Sequence, residues 1–158
     1  MPAPAHVQAD TLDRFIAGWR KWTPEDWMAT WSSDCVQVML PLSLGIPPKS
    51  VAEVKGILPK LMEIVTNYEL HIHEIVHDAS KGKAVIYATS GGDTPFGDFR
   101  WTNEYAMFIT FTEDGKQINR TEEMVNTAFF REFSPKFQKY LSEQKALGDR
   151  SGDANSHV

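Results

Sequence analysis

The sequence has a single cysteine, Cys35, among 158 residues. That excludes an internal disulfide and any metal cluster built on thiolates. It fits a reducing compartment, and a cytoplasmic protein is expected. No Lys/Arg cluster offsets the net charge of -5, so no nucleic-acid partner is expected. The acidity is scattered, as on a solvated surface. No stretch approaches the ~18 apolar residues of a membrane span, so no membrane partner is expected either. Met1-Pro2-Ala3-Pro4-Ala5 lacks a basic region and an apolar run, so no signal peptide is expected. There is no glycine-rich phosphate loop and no internal repeat.

What the sequence does contain is apolar surface: 42% of residues are hydrophobic and 11% aromatic. That is enough for one sizeable core, and the length fits one domain. We expect a single domain over residues 1–141 and a polar, disordered tail over 142–158. Leu12, Phe15, Ile16 and Trp19 follow helical spacing, which predicts a helix near 8–21. Thr23-Pro24 reads as an N-cap with proline at the first helical position. The short helix that follows should carry Trp27, Met28 and Trp31. A strand is expected over Cys35–Leu40, then a proline-rich loop over 41–48. Ser50-Val51-Ala52-Glu53 is a capping box, and it opens a third helix that Pro59 should kink or restart. After Asn67 the period changes to two. Residues 68–77, 83–90, 100–112 and 117–126 then read as strands, and Ser134-Pro135 as the start of a last helix. Helices followed by an antiparallel sheet make an α+β protein.

One hairpin combines good strand patterning with charge. Tyr105, Met107, Ile109 and Phe111 alternate on one face, and Asp114-Gly115 supplies the turn. The return strand carries Arg120, Glu122 and Glu123 among apolar neighbours. Adjacent glutamates on a strand point to opposite sheet faces. One of them is therefore expected inside, where a carboxyl must be paired, protonated or used. His71, His73 and His77 read as one face of their strand. His-x-His can bind zinc, but His77 lies about 13 Å from His73 along an extended strand, so no metal site is expected.

Several of these segments have counterparts in a known family. They are Phe15-Ile16-Ala17-Gly18-Trp19, Leu40-Pro41-Leu42-Ser43-Leu44-Gly45, Val76-His77-Asp78 with Lys83-Ala84-Val85, Asn103-Glu104-Tyr105, and Glu123-Met124-Val125-Asn126. With them the chain resembles the SnoaL-like branch of the nuclear transport factor two-like superfamily. More closely, it is similar to the small fungal isomerases and cyclases of secondary-metabolite clusters. The resemblance spans roughly residues 10–133 and departs at Trp31, where relatives often carry Arg. The relatives' last strand usually ends Glu-aromatic-Val-Asp-Ser, against Glu123-Met124-Val125-Asn126-Thr127 here.

The resemblance implies a cone-shaped, barrel-like curved antiparallel sheet covered by N-terminal helices. It implies a cofactor-independent isomerase or cyclase, often dimeric through the sheet, with a hydrophobic polycyclic small molecule as substrate. Expected catalytic residues are Glu123 and His73 for proton transfer, Tyr105 as hydrogen-bond donor, and Glu122 should the strand face the other way. Motif alignment favours Glu123 inside. Matching the hairpin to ketosteroid-isomerase-like sheets points Arg120 and Glu122 inward, and a bulge would reconcile the two. Trp31, Trp101, Arg120, Met107 and Leu40 are the expected substrate-lining residues. A dehydratase or epoxide hydrolase on the same fold would share the acid/base set, and a non-catalytic module would use the same cone to bind a ligand or dimerise.

Overall fold

The structure, a computed structural model, describes residues 1–154. Two compact units are distinguished, Met1–Val125 and Asn126–Val158.

The first unit holds three α-helices and six strands. Helix α1, Ala5–Lys21, buries Leu12, Phe15, Ile16 and Trp19, the face that the spacing predicts. Trp22 ends it in the left-handed region, φ 54°. Helix α2, Pro24–Met28, is capped by the Thr23 side chain, which accepts from Asp26 N. It is too short to hold Trp31, which instead opens strand β1, Trp31–Leu40. The reason is a long-range bond: Ile118 N donates to Thr30 O at 2.8 Å and draws this segment into the sheet. A two-residue strand β2, Lys49–Ser50, follows the proline-rich loop and was not foreseen. Helix α3, Val51–Ile64, starts at the expected capping box and runs through Pro59 as one element.

Strands β3 (Thr66–Asp78), β4 (Lys83–Asp93), β5 (Arg100–Phe111) and β6 (Ile118–Val125) form a meander. The curved sheet has the order β2-β1-β6-β5-β4-β3. All pairings are antiparallel except β1 with β6, which is parallel and corrects the expectation of a wholly antiparallel sheet. A parallel neighbour needs a long crossover, and the whole of α3 and the meander supplies it.

Alternation sorts the side chains into two faces. Ala84, Ile86, Ala88, Ser90, Trp101, Asn103, Tyr105, Met107, Ile109, Thr121, Glu123 and Val125 are buried on the inner face. The helices are tied to this part of the fold by named bonds. Trp19 Nε1 donates to Tyr68 Oη, Arg20 to Leu70 O, Trp22 Nε1 to Val65 O and Thr11 Oγ1 to Gly115 O. Val76, Tyr87, Phe108 and Met124 are exposed on the outer face.

The described residues of the second unit hold one helix, α4, Thr127–Ala154. Asn126 Oδ1 accepts from Ala128 N and Phe129 N, so the helix starts there rather than at Ser134-Pro135. Phe129, Phe133 and Phe137, four residues apart, stack with centroids 5.6 and 5.5 Å apart. Residues 142–154, expected as a tail, are helical here, in a stretch rich in helix formers and carrying a Lys139–Glu143 pair. Residues 155–158 of the expected tail lie outside the described residues.

Candidate active site

Strand β6 carries one irregularity. Ile118 pairs with Phe111 but Arg120 pairs with Thr110, which leaves Asn119 as a bulge. Beyond it, Thr121, Glu123 and Val125 face inward, and Arg120, Glu122 and Met124 face outward. Glu123 is 7% exposed, between Met39 on β1 and Met107 on β5. Gln37 Nε2 donates to its Oε1 at 3.1 Å. Burial pushes the carboxyl up to about 7, against smaller lowering by the Gln37 amide and by Lys49. Glu123 is thus a desolvated acid poised to exchange a proton near neutrality.

One step along the inner face lies a cluster of hydroxyls. Tyr105 is buried opposite Ala88 and Val125. Its Oη is 2.8 Å from Ser90 Oγ. Trp101 Nε1 donates to Ser90 Oγ at 2.8 Å, and Trp19 Nε1 donates to Tyr68 Oη at 2.8 Å. An indole N–H can only donate. Both indoles therefore feed hydroxyl oxygens, and the hydroxyl protons are left to point onward. Burial, the neighbouring Tyr68 and Glu123 hold Tyr105 well above the usual tyrosine range, so it stays a donor. Burial also pushes Tyr68 up to about 12. The walls are aromatic. Trp19 meets Tyr105 edge-on at 5.3 Å, Trp22 stacks on Tyr68 at 3.6 Å, and Trp27 joins Trp19 to Trp31 at 5.2 and 6.3 Å.

The inner face gathers Glu123, Tyr105, Trp101 and Met107, with Trp31 at its far end beside Ile118. Other expected site residues are elsewhere. Arg120 and Glu122 form an ion pair at 3.4 Å on the outer face. Leu40 pairs with Met124 and shares that face. His73 falls in a β3 bulge between Ile72 and Glu74, is exposed, and bonds Thr89 Oγ1 at 2.8 Å on the outer face. It thus lies on the opposite sheet face from Glu123. The same bulge separates the histidines: His71 is exposed, while His77 turns inward to Gln8 Oε1 at 3.1 Å. Among the described residues no group of three or more His, Cys, Asp or Glu is arranged to hold a metal.

Gln37, Ser90 and Tyr68 were missed. Gln37 and Ser90 had a signal: each is polar at an inward position of a strand whose inward neighbours are apolar. An open groove of about 680 Å³ lies away from Glu123, lined by His6, Asp10, Thr11, Arg14 and Lys116 among others. Its Arg14 is held by Asp10, Thr11 and Lys116 O.

The fold, a curved six-stranded sheet with N-terminal helices, matches that of solved nuclear transport factor two-like proteins. BvnE pinacolase from Penicillium brevicompactum superposes with a TM-score of 0.77 at 20% identity, over 85% of this chain and 92% of that one. A steroid delta-isomerase from Pseudomonas aeruginosa gives a TM-score of 0.60 at 19% identity, over 90% and 98%. No family model matches the chain. Among full-length relatives, monooxygenase dmxR10 of Cryptosporiopsis sp. is 58% identical over 146 residues, 92% of this chain and 97% of that protein. Monooxygenase nsrQ of Aspergillus novofumigatus is 48% identical over 145 residues, 92% and 95% of the two chains. The chain belongs to the family of these small fungal proteins named monooxygenases.

Proposed function

We propose that the protein is an acid/base isomerase or cyclase of fungal secondary metabolism, acting without a cofactor on a hydrophobic polycyclic substrate. The observation that carries this reading is Glu123, a buried carboxyl raised to about 7 with one amide partner. As base, Glu123 takes a proton from a carbon next to a carbonyl. The bonding pair moves into the carbonyl and leaves negative charge on its oxygen. Tyr105, kept protonated by burial, donates to that oxygen. The Trp101–Ser90–Tyr105 chain of 2.8 Å contacts polarises the donor. Returning the proton from Glu123 to another carbon gives an isomer. Attack by the carbanion on a second carbonyl closes a ring, and the alkoxide formed takes the proton back from Glu123.

The relatives' shared name favours a second reading. The same carbanion would react with molecular oxygen, converting a CH₂ to C=O with release of one water. Purified protein is to be incubated with polycyclic intermediates of its gene cluster in D₂O, with dissolved oxygen recorded. Isomerisation puts deuterium into a product that gains no oxygen atom and leaves dissolved oxygen constant. Monooxygenation consumes oxygen and adds one atom of it. A ligand that binds without either change would sink both readings.

A second copy of the chain is the proposed partner for the outer face, as the resemblance implies. The exposed Val76, Tyr87, Phe108 and Met124 support it. Light scattering on the purified chain would give a monomer mass if this is wrong.

A further inference from the structure

Among the described residues, four polar side-chain atoms are enclosed without a hydrogen-bond partner in the protein: Trp27 Nε1, Thr30 Oγ1, Trp31 Nε1 and Thr121 Oγ1. Buried polar groups are normally hydrogen-bonded, and each exception calls for a reason. These four are not scattered. Thr121 is fully buried on β6, two residues before Glu123 and on the same inner face. Two residues of a strand separate their Cα atoms by about 7 Å. Thr121 sits between Gln37 on β1 and Ile109 on β5. Trp31 pairs with Ile118 further back along β6, and the Trp27 ring lies 6.3 Å from the Trp31 ring. Thr30 directly precedes Trp31.

The pairing ladder therefore sets an order along the inner face: Trp31, Thr121, Glu123, then Tyr105. On the Tyr105 side of Glu123 the hydroxyls are bonded to one another and to indoles. On the Thr121 side the donors have no acceptor: Ile109, Phe111, Ile118 and Cys35 supply no side-chain oxygen, and the amide of the paired Gln37 is engaged with Glu123 instead. An acceptor oxygen brought by a ligand would fill that need.

We infer that Thr121, with the indole N–H groups of Trp31 and Trp27, forms a donor subsite for a second substrate oxygen, across Glu123 from Tyr105. The inference rests on the reading of the Glu123 face as the active site. It names the substrate class more closely: a flat polycyclic ketone or quinone with acceptor oxygens on both flanks of the carbon that Glu123 deprotonates. A substrate lacking the second oxygen would leave these donors unpaired in the complex. A site built to hydrogen-bond an oxygen rejects the analogue without it far more strongly than an apolar pocket rejects a missing methylene.

The test uses two probes with one carbon frame: 9,10-anthraquinone, with carbonyls on opposite edges of the middle ring, and anthracene, with none. Binding to the full chain is read by quenching of tryptophan fluorescence. Wild type, Thr121→Val and Glu123→Gln are compared, with thermal unfolding of each without ligand. Thr121→Val keeps the shape and deletes the hydroxyl. Wild type should prefer anthraquinone by about tenfold or more, the direction opposite to hydrophobic partitioning. Thr121→Val should lose most of that preference without losing thermal stability, because its hydroxyl has no partner in the fold. Glu123→Gln should keep it. If both probes bind and Thr121→Val leaves their ratio unchanged, the subsite is overturned and the pocket stands. A melting temperature that falls in Thr121→Val with the preference intact means the hydroxyl is used within the fold, and also overturns it. If neither probe binds wild type, the subsite falls together with the pocket reading.

Discussion

The Gln37 side-chain amide on β1 donates to the Glu123 carboxylate on β6 at 3.1 Å. Only the parallel pairing of these strands brings the two together, with Met39 opposite Glu123 and Gln37 one step earlier. The bond occupies Oε1 and leaves Oε2 for a substrate proton. Glu123→Gln keeps the size and removes the transferable proton. We expect turnover to fall about 10²- to 10⁴-fold. Glu122→Gln, on the outer face beside Arg120, should change turnover less than about twofold. Steady-state kinetics on the pair decides. Loss in Glu122→Gln with Glu123→Gln intact would mean that the chemistry is on the other face.

Tyr105→Phe removes one hydroxyl from the cluster with Ser90. A single donor to a developing oxyanion is worth about 10² or more in kcat. The loss should appear in kcat more than in KM, since the charge develops in the transition state. Ser90→Ala should cost less, because Ser90 reaches the developing charge indirectly, through the Tyr105 hydroxyl. His73→Ala should be silent, since His73 bonds Thr89 on the outer face. A His73→Ala enzyme with kcat reduced as far as Tyr105→Phe would contradict the proposed site.

Much of this was legible in local chemistry. The spacing of Leu12, Phe15, Ile16 and Trp19, the Ser50–Glu53 capping box and the Asp114-Gly115 turn each act within a few residues, and each forms as read. What was not legible depends on partners far along the chain. The parallel seat of β1 beside β6 leaves no local trace, so Gln37 could not be placed against Glu123. Bulges invert side-chain parity from a single extra residue. The one at Asn119 turns Glu123 in and Arg120 out, and the one at His73 divides three histidines that read as one face. Trp31 was assigned to a helix because its spacing from Trp27 fits one, yet the Ile118 N to Thr30 O bond claims the segment for the sheet. Leu40, at the strand's end, shows no periodicity that tells its face.

Gly18 on α1 offers a stability test away from the chemistry. A Cβ there would lie 2.1 Å from the carbonyl oxygen of Asp26, so α2 itself would have to move. Gly18→Ala should therefore destabilise the fold despite alanine's better helix propensity. The expected cost is about 1–3 kcal/mol, a fall in melting temperature of roughly 2–4 °C per kcal/mol. Calorimetry checks it. A melting temperature equal to wild type or higher would show that α1 and α2 are not packed this closely.

The pH dependence of stability separates a buried Glu123 from an exposed one. Its carboxyl rises from 4.5 to about 7 on folding, and burial is the first cause. Between these values the folded chain holds a proton that the unfolded chain has lost. Stability therefore falls as pH rises through that window, the reverse of an ion-paired carboxylate. The half-buried Asp26, Asp78 and Asp93 and the exposed Asp114 are lowered from 3.8, so they act below the window. Glu123→Gln carries no charge at any pH. Near pH 4.5 it should match wild type, and by pH 8 it should be more stable by roughly 3 kcal/mol at most. Activity should run the other way in wild type, with kcat/KM rising through an apparent value near 7 as the base ionises. Urea unfolding of both proteins at four or five pH values measures the gap. Two curves that stay parallel from pH 4.5 to 8 would mean that Glu123 reaches solvent, and the desolvated base would be lost with it.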